Sequence, residues 1–298
     1  MQNSPIQYIE PVFRPPSEGE SLIIQVTNGC SWNKCTFCEM YTSPMKKFKA
    51  RKDEEIIADL TKASHAYRGV RKVFLADGDA MVLPTKRLLT ILKAIKGILP
   101  SVTRVSAYCL PRNLKKKSVQ DLKLLKENGL GILYVGAESG DDLVLEKVNK
   151  GETYASTVEA VKKVNEAGIR SSMMILNGLG GKKYSEQHAQ NTARLLNECQ
   201  PSFAATLVVS FPLGIERFKQ GWDGDFELLD QPALFREIEM MLEYTQLQST
   251  IFRSDHASNY LVLKGVLGKD KEKLLQQVRG AISHPEQAQL RQEWQRGL

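Results

Sequence analysis

Three of the chain's five cysteines fall in one short segment, Cys30-Ser31-Trp32-Asn33-Lys34-Cys35-Thr36-Phe37-Cys38. Thiolates are the ligands of iron–sulfur clusters. A [4Fe–4S] cube held by three cysteines keeps one iron open to a cofactor or substrate, which points to catalysis rather than electron storage. The competing reading is structural zinc. Zinc normally closes its shell with a fourth ligand, which Cys109, Cys199 or His65 would have to supply, and none stands at motif spacing. The nearby Lys34, Lys46, Lys47 and Lys49 either lower the thiol pKa values or face water. An odd cysteine number with such clustering is no disulfide framework.

The elements that must position this loop alternate along the chain. Strand-like runs are Leu22–Thr27, Lys72–Ala76, Val102–Tyr108, Ile132–Ala137, Arg170–Asn177 and Ala204–Ser210. Helical periodicity fills Asp53–Tyr67, Thr85–Ile98, Ser118–Asn128, Thr153–Ala167 and Tyr184–Glu198. Such alternation argues for a parallel sheet wrapped by helices, either open and doubly wound or closed into a partial barrel. In both, ligands gather at the carboxyl ends of the strands. Past residue 225 the rhythm changes. Gln231–Gln246, Lys269–Ile282 and Pro285–Arg296 read as helices, and Thr250–Arg253 and Tyr260–Lys264 as short extended pieces. The expected organisation is a core with an N-terminal lead over 1–225 and an extension over 226–298 that could act as a lid.

Composition is that of an ordinary globular protein: 298 residues, 42% hydrophobic, 25% charged, net charge +7. The positive excess fits an anionic substrate or RNA without demanding either. No apolar signal core or spanning run is visible, so a cytoplasmic protein with no membrane partner is expected.

The cysteine loop resembles that of the radical S-adenosylmethionine (SAM) superfamily, with four residues between Cys30 and Cys35 where three are usual. Further segments resemble the family's motifs in the same order. Phe74-Leu75-Ala76-Asp77-Gly78-Asp79-Ala80 is similar to the strand end that contacts the SAM ammonium group. Tyr134-Val135-Gly136-Ala137-Glu138-Ser139-Gly140, followed by Val144-Leu145 and Asn149-Lys150-Gly151, is similar to the fourth-strand signature. Met174-Ile175-Leu176-Asn177-Gly178 is similar to the fifth-strand glycine motif beside the adenine, and Phe211-Pro212-Leu213-Gly214 also has a counterpart. The pattern looks most like the branch of the Elongator catalytic subunit and coproporphyrinogen dehydrogenase, among its uncharacterised members.

The resemblance implies a partial (β/α)6 TIM-type barrel of the α/β class with a mainly helical C-terminal extension. It implies Cys30, Cys35 and Cys38 as ligands of a [4Fe–4S] cluster. It implies Phe37, Ala76, Gly78, Asp79, Glu138, Ser139, Ile175 and Asn177 as contacts of SAM. The expected chemistry is reductive cleavage of SAM to a 5′-deoxyadenosyl radical that abstracts hydrogen from a small molecule, fed by an electron donor such as flavodoxin or ferredoxin. RNA modification is the alternative enzyme reading. Methylthiolation and cobalamin-dependent methylation are disfavoured, because no further cysteine or cobalamin domain precedes Cys30. A non-catalytic zinc or RNA-binding module is the contrasting class.

Cys109 and His256 are the candidate catalytic side chains, Cys109 with a buried structural role as its alternative. Arg112 is placed at the mouth, and Arg253, His256 and Asn259 form a polar group that either caps the barrel or meets substrate. His65 and His188 are expected on surfaces and His284 in a turn. The basic runs Lys46–Lys52, Lys115–Lys117 and Lys269–Lys273 are expected to be solvated.

Overall fold

Nine consecutive residues, Leu130–Glu138, are buried without alternation, the signature of a parallel strand covered on both faces. The computed structural model, which describes residues 5–222 and 225–296, builds a mostly parallel sheet around it. Its strands are β1 (Leu22–Gln25), β2 (Lys72–Ala76), β3 (Arg104–Cys109), β4 (Leu130–Glu138), β5 (Arg170–Asn177), β6 (Phe203–Val208), β7 (Thr250–Ser254) and β8 (Leu263–Leu267). Their order in the sheet is their order in the chain, as right-handed βα crossovers require. A two-residue ladder, Thr27–Asn28 against Lys49–Ala50, closes the cysteine loop at its base.

The helices are α1 (Asp53–Ala66), α2 (Thr85–Ile98), α3 (Val119–Glu127), α4 (Asp142–Lys147), α5 (Tyr154–Glu166), α6 (Gly181–Cys199), α7 (Glu216–Lys219), α8 (Gln231–Tyr244) and α9 (Lys271–Ser283). Local chemistry sets several of their ends. Ser118 caps α3 by accepting from the Asp121 amide while Asp121 reaches back to Ser118, a capping box. Gly129, at φ 106°, turns the chain from α3 into β4. Asp230 caps α8 through the Ala233 amide.

The α/β class and barrel-type sheet agree with expectation, and three details differ. The extended pieces after residue 249 do not stand apart from the sheet. β7 pairs parallel with β6, and β8 pairs antiparallel with β7, giving eight strands rather than six. No α-helix forms over Pro285–Arg296, where a 3₁₀ turn spans Glu293–Gln295. There the chain is drawn out to meet the turn after β7: the Arg291 guanidinium donates to the carbonyls of His256 at 2.6 Å and Asn259 at 3.0 Å, and its amide to Tyr260 at 2.9 Å. Helix α6 starts at Gly181, three residues before Tyr184.

The chain divides into two compact units. The first comprises Met1–Asn33, Met40–Val135 and Lys162–Ser171. Its core includes Phe74, Tyr108 and Tyr134 in edge contact, with Phe74 and Tyr108 ring centroids 5.1 Å apart. It also buries charge. Lys46 and Asp77, both without solvent exposure, pair at 2.7 Å, and Gln25 and the Gly29 amide donate to the same carboxylate. Lys46 is thus not on a solvated face; the buried Asp77 demands a cation. Lys117 is likewise buried, donating to the Leu83 carbonyl at 2.9 Å.

The second unit comprises Lys34–Glu39, Gly136–Val161 and Ser172–Leu298. Its apolar centre gathers Val144, Val148, Leu179, Phe218, Trp222 and Phe226. Among the described residues no helix is long and apolar enough to cross a membrane.

Removing one partner of a buried ion pair strands the other charge. Lys46→Met is expected to destabilise the protein by about 3–5 kcal/mol, read as a lowered urea midpoint at unchanged m-value. The exposed neighbour substitution Lys47→Met should stay within about 0.5 kcal/mol of wild type.

Candidate active site

The candidate residues sit where the strands end, and each unit holds its own share. In the first unit, Gly78 follows β2 at the base of the cysteine loop. Its amide donates to the Gly29 carbonyl at 3.2 Å. A Cβ at position 78 would stand 2.7 Å from the Tyr41 ring and 3.0 Å from the Cys30 Cβ. Only glycine lets the strand end approach Cys30 this closely. Ala76 and Asp79 are fully buried beside it.

Asp79 accepts hydrogen bonds from the Ser31 amide at 3.2 Å and from the Ser31 hydroxyl. Burial pushes its carboxyl up to about 6, against the opposing pull of Ser31, Asn113 and Arg112. A carboxylate so desolvated gains most from a cation placed against it. Arg112 lies with its guanidinium 3.9 Å from the centroid of Trp32, inside the loop. Cys109, the last residue of β3, is buried, with its thiol 3.3 Å from the Leu110 carbonyl.

In the second unit, Cys35 and Cys38 form a turn closed by the Cys38 amide on the Cys35 carbonyl at 3.3 Å. Arg217 of α7 clamps that turn, donating to the Cys38 carbonyl at 2.7 Å and the Cys35 carbonyl at 3.0 Å. The Thr36 amide reaches the Val148 carbonyl at 3.0 Å, and Phe37 packs on the apolar centre.

Facing the turn is Lys150, buried and paired with Glu138 at 2.9 Å. Burial alone would depress its ammonium, but the charges of Glu138, Cys35 and Cys38 outweigh this and raise it. Lys150 is therefore a fixed positive charge beside two thiols and a carboxylate. Glu138 takes a left-handed φ of 64° to aim its side chain there. Gly136 leaves the space, since a Cβ there would stand 2.4 Å from the Glu138 carboxylate.

Behind Glu138 runs a buried polar chain. The Ser139 hydroxyl lies 2.8 Å from His188 Nδ1, and it also accepts from the Asp141 amide at 2.9 Å. His188 Nε2 stands 3.8 Å from Glu237 of α8. Glu237 accepts from the Gly178 amide at 2.6 Å and from the Ser185 hydroxyl at 2.5 Å. Burial raises the Glu237 carboxyl, opposed by His188, Ser185 and Gly178.

His188 was expected on a surface and is instead buried. It sits on the inward face of α6, where the buried Ser139 and Glu237 supply its polar partners. At the end of β5, Ile175 and Asn177 are buried, and the Asn177 Nδ2 has no hydrogen-bond partner. An orphaned buried donor at a strand end awaits a ligand or strains the fold.

His256 pairs locally with Ser258 at 2.9 Å, and burial, then Arg291, lower its pKa. Asn259 ties to the Thr206 carbonyl at 2.8 Å, while Arg253 is exposed on β7. His65 is exposed, and His284 ends α9. Lys150 falls in the Asn149-Lys150-Gly151 stretch of the fourth-strand signature, but its part as a buried cation was not read from it. Arg217 and Glu237 escaped sequence reasoning, lying far along the chain with no motif signal.

None of the five cysteines is in a disulfide. Among the described residues no three His, Cys, Asp or Glu side chains are gathered into a metal-holding cage. The fit to an iron–sulfur cluster is one of donor chemistry: three thiols in a single glycine-based loop, two of them facing a buried cation.

The chain matches the radical SAM superfamily over residues 24–196, more than half of its length. It belongs to that superfamily. With membership come the cofactors, SAM and a [4Fe–4S] cluster.

Among curated proteins it is 28% identical over 151 residues to an uncharacterized methyltransferase of Pyrococcus horikoshii, covering 50% of this chain and 31% of that one. It is 22% identical over 170 residues to the heme chaperone HemW of Bacillus subtilis, covering 55% and 44%. The chain therefore spans less than half the length of either relative. Among solved structures, the radical SAM coproporphyrinogen III oxidase of Escherichia coli superposes with a TM-score of 0.56 at 14% identity, covering 75% of this chain and 51% of that one.

The buried chain behind the site gives a stability test. Glu237→Leu leaves the Gly178 amide and Ser185 hydroxyl unpaired and should cost about 2–5 kcal/mol in urea unfolding. Glu237→Gln keeps one acceptor oxygen for the Gly178 amide and turns its NH2 to donate to the Ser185 oxygen, so it should cost less than Glu237→Leu, under about 2 kcal/mol.

Proposed function

We propose that this protein is a radical SAM oxidoreductase or transferase acting on a small molecule. Cys30, Cys35 and Cys38 would hold the cluster and leave one iron open to SAM. When bound, the pair supplies a 5′-deoxyadenosyl radical that takes hydrogen from the substrate. The observation that carries this reading is the family match over residues 24–196. That stretch contains all three cysteines and each residue assigned to SAM.

The chain's own residues then take definite parts. Ala76 and Gly78 bring the end of β2 against the SAM ammonium group, and Asp79 offers it a desolvated carboxyl. Glu138 and Ser139 meet the ribose or carboxylate, with Glu138 oriented by Lys150 and Ser139 by His188. Phe37, Ile175 and Asn177 border the adenine, and the orphaned Asn177 amide donates to it. Lys150 offsets part of the negative charge that thiolate ligation brings into a buried place. Cys109 and His256 are candidates for contact with substrate: Cys109 as a hydrogen or proton donor, His256 as a base whose pKa burial and Arg291 lower. Residues 226–298 lie beyond the family match, and we assign them to substrate selection. Flavodoxin or ferredoxin fits as the one-electron donor.

The test is anaerobic. Protein with reconstituted cluster, SAM and dithionite is expected to release 5′-deoxyadenosine, and Cys38→Ala is expected to release none. Equal yields from both, or SAM that fails to bind the loaded wild type, would refute the reading.

A further inference from the structure

At the amino ends of the strands, in the first unit, lies a cavity of about 350 Å3. Four cations line it: Lys72, which opens β2; Arg104, which opens β3; Arg170, which opens β5; and Lys126, in the last turn of α3. No acidic side chain is in its lining. Its size falls in the range of small-ligand pockets. A concave patch of one sign focuses the field and concentrates counter-ions. None of these four residues belongs to the basic runs that the sequence makes conspicuous. The fold assembles them because strands opening in register bring their first residues side by side.

One of the four is built in rather than merely present. Arg104 donates through Nη2 to Glu18 at 2.8 Å. Glu18 has no solvent exposure, and it also accepts from the Tyr134 hydroxyl at 2.6 Å and from the Ser21 hydroxyl. That anchorage fixes the guanidinium. Its Nε is buried and has no hydrogen-bond partner. The chain also makes space for it: a Cβ at Gly131 would stand 2.8 Å from the Arg104 Cγ. A fixed arginine loses little entropy on binding and presents a planar fork suited to phosphate oxygens. Lys72 has one acidic neighbour, Glu20 at 3.7 Å. That carboxylate is 91% exposed, too solvated to neutralise the cavity.

We propose that this cavity is a binding site for a multiply charged, phosphate-bearing small molecule, separate from the SAM site. The cysteines, Asp79, Glu138 and Asn177 all follow the carboxyl ends of strands, whereas this cavity gathers amino ends. Preorganised Arg104, its charge answered by the buried Glu18, supplies directed contacts, and Lys72, Lys126 and Arg170 supply the net charge. An RNA backbone would want an extended basic track, and the cavity's size of about 350 Å3 favours a compact ligand.

The probe is inorganic pyrophosphate, titrated calorimetrically into the full chain at fixed ionic strength. Short oligouridine is titrated in parallel. Lys126 and Arg170 are exposed. The melting midpoint of the double variant Lys126→Ala/Arg170→Ala is read beside its binding, and Lys126→Ala alone is the second variant, which keeps every contact of Arg170. Saturable pyrophosphate binding is expected in wild type and should be weaker by at least about tenfold in the double variant. SAM binding by the reconstituted protein should be equal in both. Pyrophosphate binding that is absent, or unchanged in the double variant, would overturn the proposal. Oligouridine binding that is lost in the double variant, without pyrophosphate binding, would mark an RNA surface instead.

Discussion

A buried carboxylate is stable only where something answers its charge, and Asp77, Glu138 and Asp79, at the ends of strands, are answered in three different ways. Asp77 is answered by Lys46 at 2.7 Å. Glu138 is answered by Lys150 at 2.9 Å. Asp79 has no cation so close; it has the Ser31 amide and hydroxyl, and its pKa rises to about 6. The three differ in what they can do. Asp77 is spent on holding the cysteine loop to β2 through Lys46, Gln25 and Gly29. Glu138 is oriented by Lys150 in a buried place. Asp79 keeps its raised pKa against the pull of Ser31, Asn113 and Arg112, and a further cation placed against it would be favoured.

Much of this was legible in sequence because parallel βα units write themselves plainly. β2 and β5 fall on the residues that apolar runs mark, Lys72–Ala76 and Arg170–Asn177. α2 likewise occupies Thr85–Ile98. The motifs lie at the carboxyl ends of β1, β2, β4 and β5, as an enzyme of this sheet type requires. What was not legible depended on partners distant in the chain. His188 lies on an amphipathic helix otherwise read as surface, and its burial follows from Ser139 and Glu237. Lys46 sits in a basic run, and nothing local reveals that Asp77 draws it inside. β7 and part of β8 were read as extended pieces, but that they join the sheet on the open edge of β6 depends on a distant partner.

The stretch beyond residue 196 lies outside the family match, yet it supports residues within it. Arg217 clamps the turn of Cys35 and Cys38, and Glu237 holds the Gly178 amide. The part of the chain outside the family match thus steadies the matched part through backbone groups, which any sequence presents. That arrangement explains why motif reading finds the ligands and misses their supports.

The central claim is that one loop of three thiols holds an iron–sulfur cluster with an open iron. The most direct measurement is iron and sulfide content of the anaerobically reconstituted protein, cysteine by cysteine, with an absorption spectrum for each. About four irons and four sulfides per chain are expected for wild type and for Cys109→Ala and Cys199→Ala, falling well below that for Cys30→Ala, Cys35→Ala and Cys38→Ala. Bound zinc in place of iron, or a cluster that survives loss of any of those three cysteines while depending on Cys109 or Cys199, would contradict the account.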